Sequence, residues 1–175
     1  ALPSVMIGSH IDTVKDGGRF DGNLGVVAGV LAAKAIREAG IVLPFALEVV
    51  AFGDEENVRF PTSFSTSNAL SGAYRPQWLD SRDADGTTLR DALVAFGGDP
   101  AGIPALARKP GSVGAYLEIH IEQGPVLEAE NEAVGIVTAI NAQKRARVRV
   151  TGEAGHAGTV PMRLRKDALA AAAEM

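Results

Sequence analysis

The apolar positions of this chain fall into short runs separated by glycine and polar residues. Val5, Met6 and Ile7 form a first run that stops at Gly8-Ser9, and Ala46 to Phe52 forms a second, continuous enough to read as a buried strand. Between them Leu24, Val27, Ala28, Leu31 and Ala35 recur at helical spacing until Gly40 closes the segment. Thr62 to Ala73 is small and polar with helical potential, and Tyr74 to Thr87, rich in Asp, Pro and Arg, reads as a surface excursion. A short amphipathic helix is predicted from Thr88, with Asp91 near the cap, Leu89, Leu93 and Phe96 on one face, and Gly97-Gly98 as its stop. Asp99-Pro100 has the form of a cap and first helical position.

Further along, Tyr116 to Glu122 alternates, with Leu117, Ile119 and Ile121 opposite Glu118, His120 and Glu122, which predicts a strand ending at Gln123-Gly124-Pro125. Val134 to Ile140 reads as an apolar strand. Arg145 to Thr151 reads as an alternating one, with Ala146, Val148 and Val150 against Arg145, Arg147 and Arg149. That basic face is either an attractor for an anionic substrate or a solvated edge. A helical run follows from Lys166 to Met175. Strands interleaved with helices indicate an α/β chain.

Composition narrows the classes. With 175 residues and 46% hydrophobic content the chain can bury a core, and nothing in it resembles a disordered, collagenous or membrane-spanning sequence. A net charge of -4 and a pI near 5.4 offer no broad basic surface, so neither nucleic acid nor membrane is an expected partner. The absence of cysteine removes disulfides and thiolate ligands. Any metal must then be held by His, Asp and Glu, a usage that suits a cytoplasmic protein. The chain begins without Met inside a predicted strand and stops inside a predicted helix, so a fragment of a longer protein is expected.

Candidate chemistry lies where the apolar runs end. Gly53-Asp54-Glu55-Glu56 puts two adjacent glutamates after a buried strand, where one could hold a metal and the other move a proton; the alternative is a solvated acidic loop. In His10-Ile11-Asp12 the carboxylate is a candidate orienter for a metal-bound imidazole. Asp21 is either a helix cap or a functional carboxylate, and His120 is either a hydrogen-bonded structural residue or a ligand. His156 sits among small residues, Gly152 to Gly158, where backbone can approach a ligand. The glycine-bearing loop Lys15 to Phe20 matches neither the P-loop nor the dinucleotide-binding pattern. All three histidines lie at strand ends or in glycine-rich loops, and Asp21, Glu55 and Glu56 lie at comparable places. Imidazole with carboxylate suits Zn, Mn, Co or Ni, and two such ions about 3.5–4 Å apart need a bridging carboxylate.

Taken in order, Gly8-Ser9-His10-Ile11-Asp12-Thr13, Phe20-Asp21-Gly22, Asp54-Glu55-Glu56 with Arg59-Phe60, His120-Ile121-Glu122-Gln123-Gly124-Pro125 and Gly155-His156-Ala157-Gly158-Thr159-Val160-Pro161-Met162 resemble the motifs of the hydantoinase/carbamoylase family. That family groups N-carbamoyl-L-amino-acid hydrolases, β-ureidopropionases and allantoate amidohydrolases within a larger clan of two-metal aminoacylases and carboxypeptidases. The resemblance implies a mixed-sheet α/β catalytic domain over residues 1–141 and the beginning of an α+β lid, or dimerisation, domain over 142–175. It implies two divalent ions, Zn or Mn with Co or Ni as alternatives. Asp21 would bridge them, His10 and His120 would complete one site, and Glu56 would serve the other. Glu55 would be the general base, Asp12 would support the centre, Gln123 would contact the substrate, and His156 would bind substrate and stabilise the oxyanion.

The family's second metal also takes a histidine near the C-terminus, and this chain has none after His156. Truncation accounts for that, and the fragment alone is expected to be weakly active or inactive. The implied reaction is cleavage of a linear ureido C–N bond with release of ammonia and carbon dioxide, by a homodimeric full-length enzyme acting on a small molecule. Allantoate is the first substrate expected, on the strings Val49 to Glu56 and Gly152 to His156; N-carbamoyl-L-amino acids are the second. From another class, a catalytically silent binding module would keep the fold but need no base beside a metal.

Overall fold

The computed structural model describes residues 2–142 and 144–175. The chain divides into two compact units, Ala1–Glu130 and Asn131–Met175.

In the first unit, strand β1 (Ser4–His10) lies between β2 (Leu47–Phe52) and β3 (Val113–Leu117), and both pairings are parallel. The α/β class expected from the sequence holds, and the antiparallel part of the expected mixed sheet is not among the described strands. A central strand of a parallel sheet is covered on both faces, and six of the seven residues of β1 are buried. This explains a difference from the sequence reading, which ended the strand at Ile7. Gly8, Ser9 and His10 continue it because they pair with Val50, Ala51 and Phe52. Glycine is required at position 8 by crowding: a Cβ there would lie 3.2 Å from the Tyr116 ring and 3.3 Å from that of Phe52.

Helix α1 (Asn23–Glu38) packs on this sheet, though not through the face its leucines and valines suggested. Its buried residues are Gly25 and Gly29, whereas Leu24, Val27 and Leu31 are exposed. The reason is the closeness of approach. A Cβ on Gly29 would meet Ile7 and Val49 at 3.0 and 3.2 Å, and one on Gly25 would run into the carbonyl of Ile119. Only glycine lets the helix backbone come this near.

Between β2 and β3 the chain makes α2 (Ser65–Ser71), a 3₁₀ turn (Pro76–Asp80), α3 (Leu89–Phe96) and a second 3₁₀ segment (Pro100–Leu106). The predicted caps form: Thr88 accepts from the Asp91 N–H, and Asp99 accepts from the Ala101 N–H. The excursion has its own small core of Phe60, Leu79 and Leu89, flanked by Tyr74, Leu93 and Ile103. Leu79 is thus buried inside a segment that its composition marked as surface, and Phe96, expected on the apolar face of α3, is 91% exposed.

β3 begins three residues before the predicted strand and stops at Leu117, so Glu118 to Glu122 continue without a ladder before α4 (Val126–Ala129). In the second unit, Val134–Ile140 and Arg145–Thr151 are not strands. An extended run becomes a strand only within a regular ladder, and among the described residues no such ladder forms over either run. The unit does contain α5 (Ala168–Ala173), capped by Asp167, whose carboxylate accepts from the N–H groups of Leu169 and Ala170. The Glu153 N–H donates to the carbonyl of Lys166 at 2.9 Å, which ties the segment before the His156 loop to the entry of α5.

Because Gly25 is a contact rather than a spacer, Gly25→Ala should lower stability by about 1–3 kcal/mol through overpacking, against a helix-propensity gain of about 1 kcal/mol. Val30→Ala, on the exposed face of α1, should stay within about 0.5 kcal/mol of the parent. Urea-denaturation midpoints of the two variants check this; equal midpoints would remove the close approach as the reason for glycine.

Candidate metal centre

β1 and β2 run parallel, so both release their chains at the same edge of the sheet, the edge where α/β proteins place ligands. His10 is the last residue of β1 and pairs with Phe52, the last of β2; the Ile11 N–H then donates to the Phe52 carbonyl at 2.8 Å. Gly53 to Glu56 turn away from that point. Asp12 meets them: its carboxylate accepts from the N–H of Glu55 at 3.1 Å and from that of Glu56 at 2.9 Å. The expected contact between the Asp12 carboxylate and His10 is therefore absent, since both carboxylate oxygens are used on the loop. His10 is instead oriented by the Asp12 main chain, with Nδ1 2.6 Å from its carbonyl.

The Asp-Glu-Glu run separates into different surroundings. Asp54 adopts a left-handed φ of 57° and turns inward, where its carboxylate accepts from the hydroxyls of Thr62 at 3.1 Å and Ser65 at 2.6 Å. Burial nevertheless holds its carboxyl above the usual range. The Glu55 carboxyl is also held up, first by burial and then by the negative charge of Glu56 beside it. A carboxylate with raised basicity is better matched to taking up a proton near neutral pH. The solvated acidic loop is thus not what forms. Sequence reasoning missed Asp54, because its partners lie 8 and 11 residues away and nothing local marks them.

Asp21 is 3% exposed and does not cap α1, whose N-cap is Gly22 with no side-chain cap bond. Gly22, at φ 74°, leaves the space that the His10 ring occupies. Asp21 Oδ2 accepts from Gln123 Nε2 at 3.3 Å, and Oδ1, buried, receives no hydrogen bond. What faces Oδ1 is a pair of imidazoles: His120 Nε2 at 3.2 Å and His10 Nε2 at 3.6 Å, themselves 3.1 Å apart. The rings are stacked, with centroids 5.3 Å apart.

Their protonation follows from their other nitrogens. His10 Nδ1 lies against the Asp12 carbonyl, and His120 Nδ1 lies 2.9 Å from the Ile121 carbonyl. Carbonyls only accept, so each Nδ1 carries a proton, and the neutral form of each ring turns a bare Nε2 toward Asp21 Oδ1. Three lone pairs then converge on one place. A shared proton can lie on only one line between them, whereas a divalent cation answers all three, and imidazole nitrogen and carboxylate oxygen are its ordinary donors. The spacing fits as well. Atoms about 2.0–2.2 Å from a common tetrahedral centre stand about 3.3–3.6 Å apart. His10 belongs also to a second group able to hold a metal, with Glu55 and Glu56, all ligand atoms of each group lying within 4.8 Å of one another. Four predicted ligands and the predicted base are thus brought together, with Gln123 hydrogen-bonded to one of them.

His156 belongs to the second unit and has the opposite tautomer. Its Nδ1 accepts from the Gly158 N–H at 3.1 Å, so the neutral ring carries its proton on Nε2 and offers a donor. The guanidinium of Arg165 holds this loop by donating to the carbonyls of Val160 at 3.1 Å, His156 at 3.3 Å and Ala157 at 2.6 Å. Arg165 carried no signal in the sequence, where it reads as one more surface cation.

Among the described residues no helix is long and apolar enough to cross a membrane. Residues 6–175 match the peptidase family M20/M25/M40. An N-carbamoyl-L-amino acid amidohydrolase of Geobacillus stearothermophilus is 48% identical over 171 residues, 98% of this chain and 42% of the relative. A probable allantoate deiminase of Oryza sativa subsp. japonica is 44% identical over 176 residues, 98% of this chain and 36% of the relative. The crystal structure of a hydantoinase/carbamoylase family amidase from Burkholderia ambifaria superposes with a TM-score of 0.76 at 41% identity, over 99% of this chain and 41% of that one. The chain therefore spans well under half the length of these relatives. The family match over residues 6–175 shows that the chain belongs to peptidase family M20/M25/M40, within which it is similar to solved amidases of the hydantoinase/carbamoylase family.

Proposed function

We propose that the full-length protein is a metal-dependent amidohydrolase that cleaves a linear ureido C–N bond. The observation that carries this reading is the convergence of two imidazole lone pairs and a buried, unpaired carboxylate oxygen beside a glutamate of raised basicity. His10, Asp21 and His120 would hold one divalent ion, and Glu56, with Asp21 shared, would serve a second. When bound, such ions would supply Lewis-acid chemistry, activating water and the ureido carbonyl.

Glu55 takes a proton from the attacking water and returns it to the leaving nitrogen, which needs a single carboxylate held near both. Asp12 fixes where Glu55 and Glu56 begin, through their main-chain N–H groups. Gln123, one of whose amide protons is used on Asp21, meets the substrate through its remaining amide atoms. His156, a donor through Nε2, stabilises the charge developing on the carbonyl oxygen. A catalytically silent module would gain nothing from a desolvated base beside a ligand cluster.

The relatives bear both kinds of name, N-carbamoyl-L-amino acid amidohydrolase and allantoate deiminase. Both names imply a linear ureido group. We take allantoate as the first substrate, on the strings Val49 to Glu56 and Gly152 to His156, and N-carbamoyl-L-amino acids as the second.

Three outcomes are expected of the full-length protein. Ammonia release should follow addition of one of the two substrates, vanish on treatment with a chelator and return with Mn²⁺ or Zn²⁺; no release from either substrate with metal present would refute the hydrolase reading. Glu55→Gln should keep its metal while kcat falls about 10²–10⁴-fold, as measured by metal analysis and steady-state rates on one preparation. His156→Ala should likewise keep its metal and lose about 10²–10³-fold in kcat. Were its loss confined to metal content, His156 would be a ligand and not a donor.

A further inference from the structure

The backbone ladder between β1 and β3 ends at the pair Ile7 and Leu117. Three residues further along each chain stand His10 and His120, so the two imidazoles occupy equivalent places beyond the last paired rung. His10 stays in place because β1 is still paired with β2 on its other side. Residues 118–120 have no such support, being outside any strand. Yet His120 Nε2 stands 3.1 Å from His10 Nε2. Side chains must hold the two chains together where the ladder has stopped.

Glu118 makes those bonds. Its Oε1 accepts from the hydroxyl of Ser9, a residue with 0% exposure, at 2.8 Å. Its Oε2 stands 3.3 Å from the hydroxyl of Tyr116, whose single proton is shared with the Gly8 carbonyl at 3.0 Å. Both carboxylate oxygens thus engage groups on or crossing β1, one and two residues before His10. The glycines complete the arrangement: Gly8 leaves room for the Tyr116 ring, and Gly25 lets the Ile119 carbonyl close on α1. Burial, and then the charge and hydrogen bond of Glu118, push the Tyr116 hydroxyl up to about 12, so it remains a donor throughout the working pH range.

We propose that Glu118 is a positioning residue of the metal centre: its two hydrogen bonds continue the alignment of the parallel chains past their ladder and set the spacing of His10 and His120. The inference rests on the reading of His10, Asp21 and His120 as metal ligands. Partners that orient ligands without touching the metal are ordinarily worth about 10–100-fold in metal affinity.

The test is the affinity of the full-length protein for Zn²⁺ or Mn²⁺, read by competition with a chelator. Glu118→Ala should weaken binding about 10–100-fold. Its kcat should recover when excess metal is added, and its substrate KM should not move. Glu118→Gln, which can still bond Ser9 and Tyr116, should restore most of the affinity. A purely structural role would lower the unfolding midpoint of the metal-free protein and leave the affinity of the folded fraction at the parent value, and that result overturns the proposal. So does Glu118→Gln binding as poorly as Glu118→Ala. If Glu118→Ala fails to fold, the double variant Ser9→Ala/Tyr116→Phe removes the same two donors and should show the same loss, and parent affinity there is equally fatal. A parent protein that binds no metal would instead refute the reading of the centre, whatever the variants do.

Discussion

Everything at the candidate centre depends on the burial of the last three residues of β1 between two parallel neighbours. Gly8 and Ser9 are small enough for Tyr116 and α1 to close over them, and His10 emerges at the edge with 5% exposure. Parallel pairing is what makes that edge chemical. It brings the C-terminal ends of β1 and β2 to one side, and the segment after β3 joins them there. Had any of these strands run the other way, its histidine or glutamates would lie at the opposite end of the sheet.

The main chain does much of the organising within each unit. In the first, backbone carbonyls set the tautomers of His10 and His120 and backbone N–H groups dock the Glu55-Glu56 loop on Asp12; in the second, a backbone N–H sets the tautomer of His156. The consequence is a division among three chemically identical side chains. Two present lone pairs, which suits a cation, and one presents a proton, which suits an anion. Residue type cannot express that difference, since it arises from which backbone group lies within reach of Nδ1.

The acidic residues divide in the same way. Asp12, Asp54, Glu55 and Glu56 are near in sequence or in motif, but Asp12 accepts from the loop, Asp54 accepts from two hydroxyls, and Glu55 keeps its carboxylate raised by burial. The reading of Asp12 as a carboxylate partner of His10 failed for this reason. Its geometry toward the imidazole is supplied by its carbonyl, and its carboxylate is used 43 and 44 residues away in the chain.

By itself the sequence was sufficient for the α/β class, for the approximate places of β1, α1, β2 and α3, and for the caps at Thr88 and Asp99, which are properties of local pattern that short stretches carry in full. The set of residues that converge was legible only through the ordered motifs and the family they resemble, since residue type and spacing left Asp21 and His120 open. Only the tertiary structure decided the buried face of α1, the early end of β3, the absence of strands at 134–140 and 145–151 among the described residues, and the partner of each histidine Nδ1. The first three depend on contacts between residues far apart in the chain, whereas the Nδ1 partners lie one or two residues away and depend on the backbone conformation there. The glycine face of α1 shows the limit most clearly: hydrophobic spacing predicts what a helix can bury, but how close it must come to a sheet is set by the sheet.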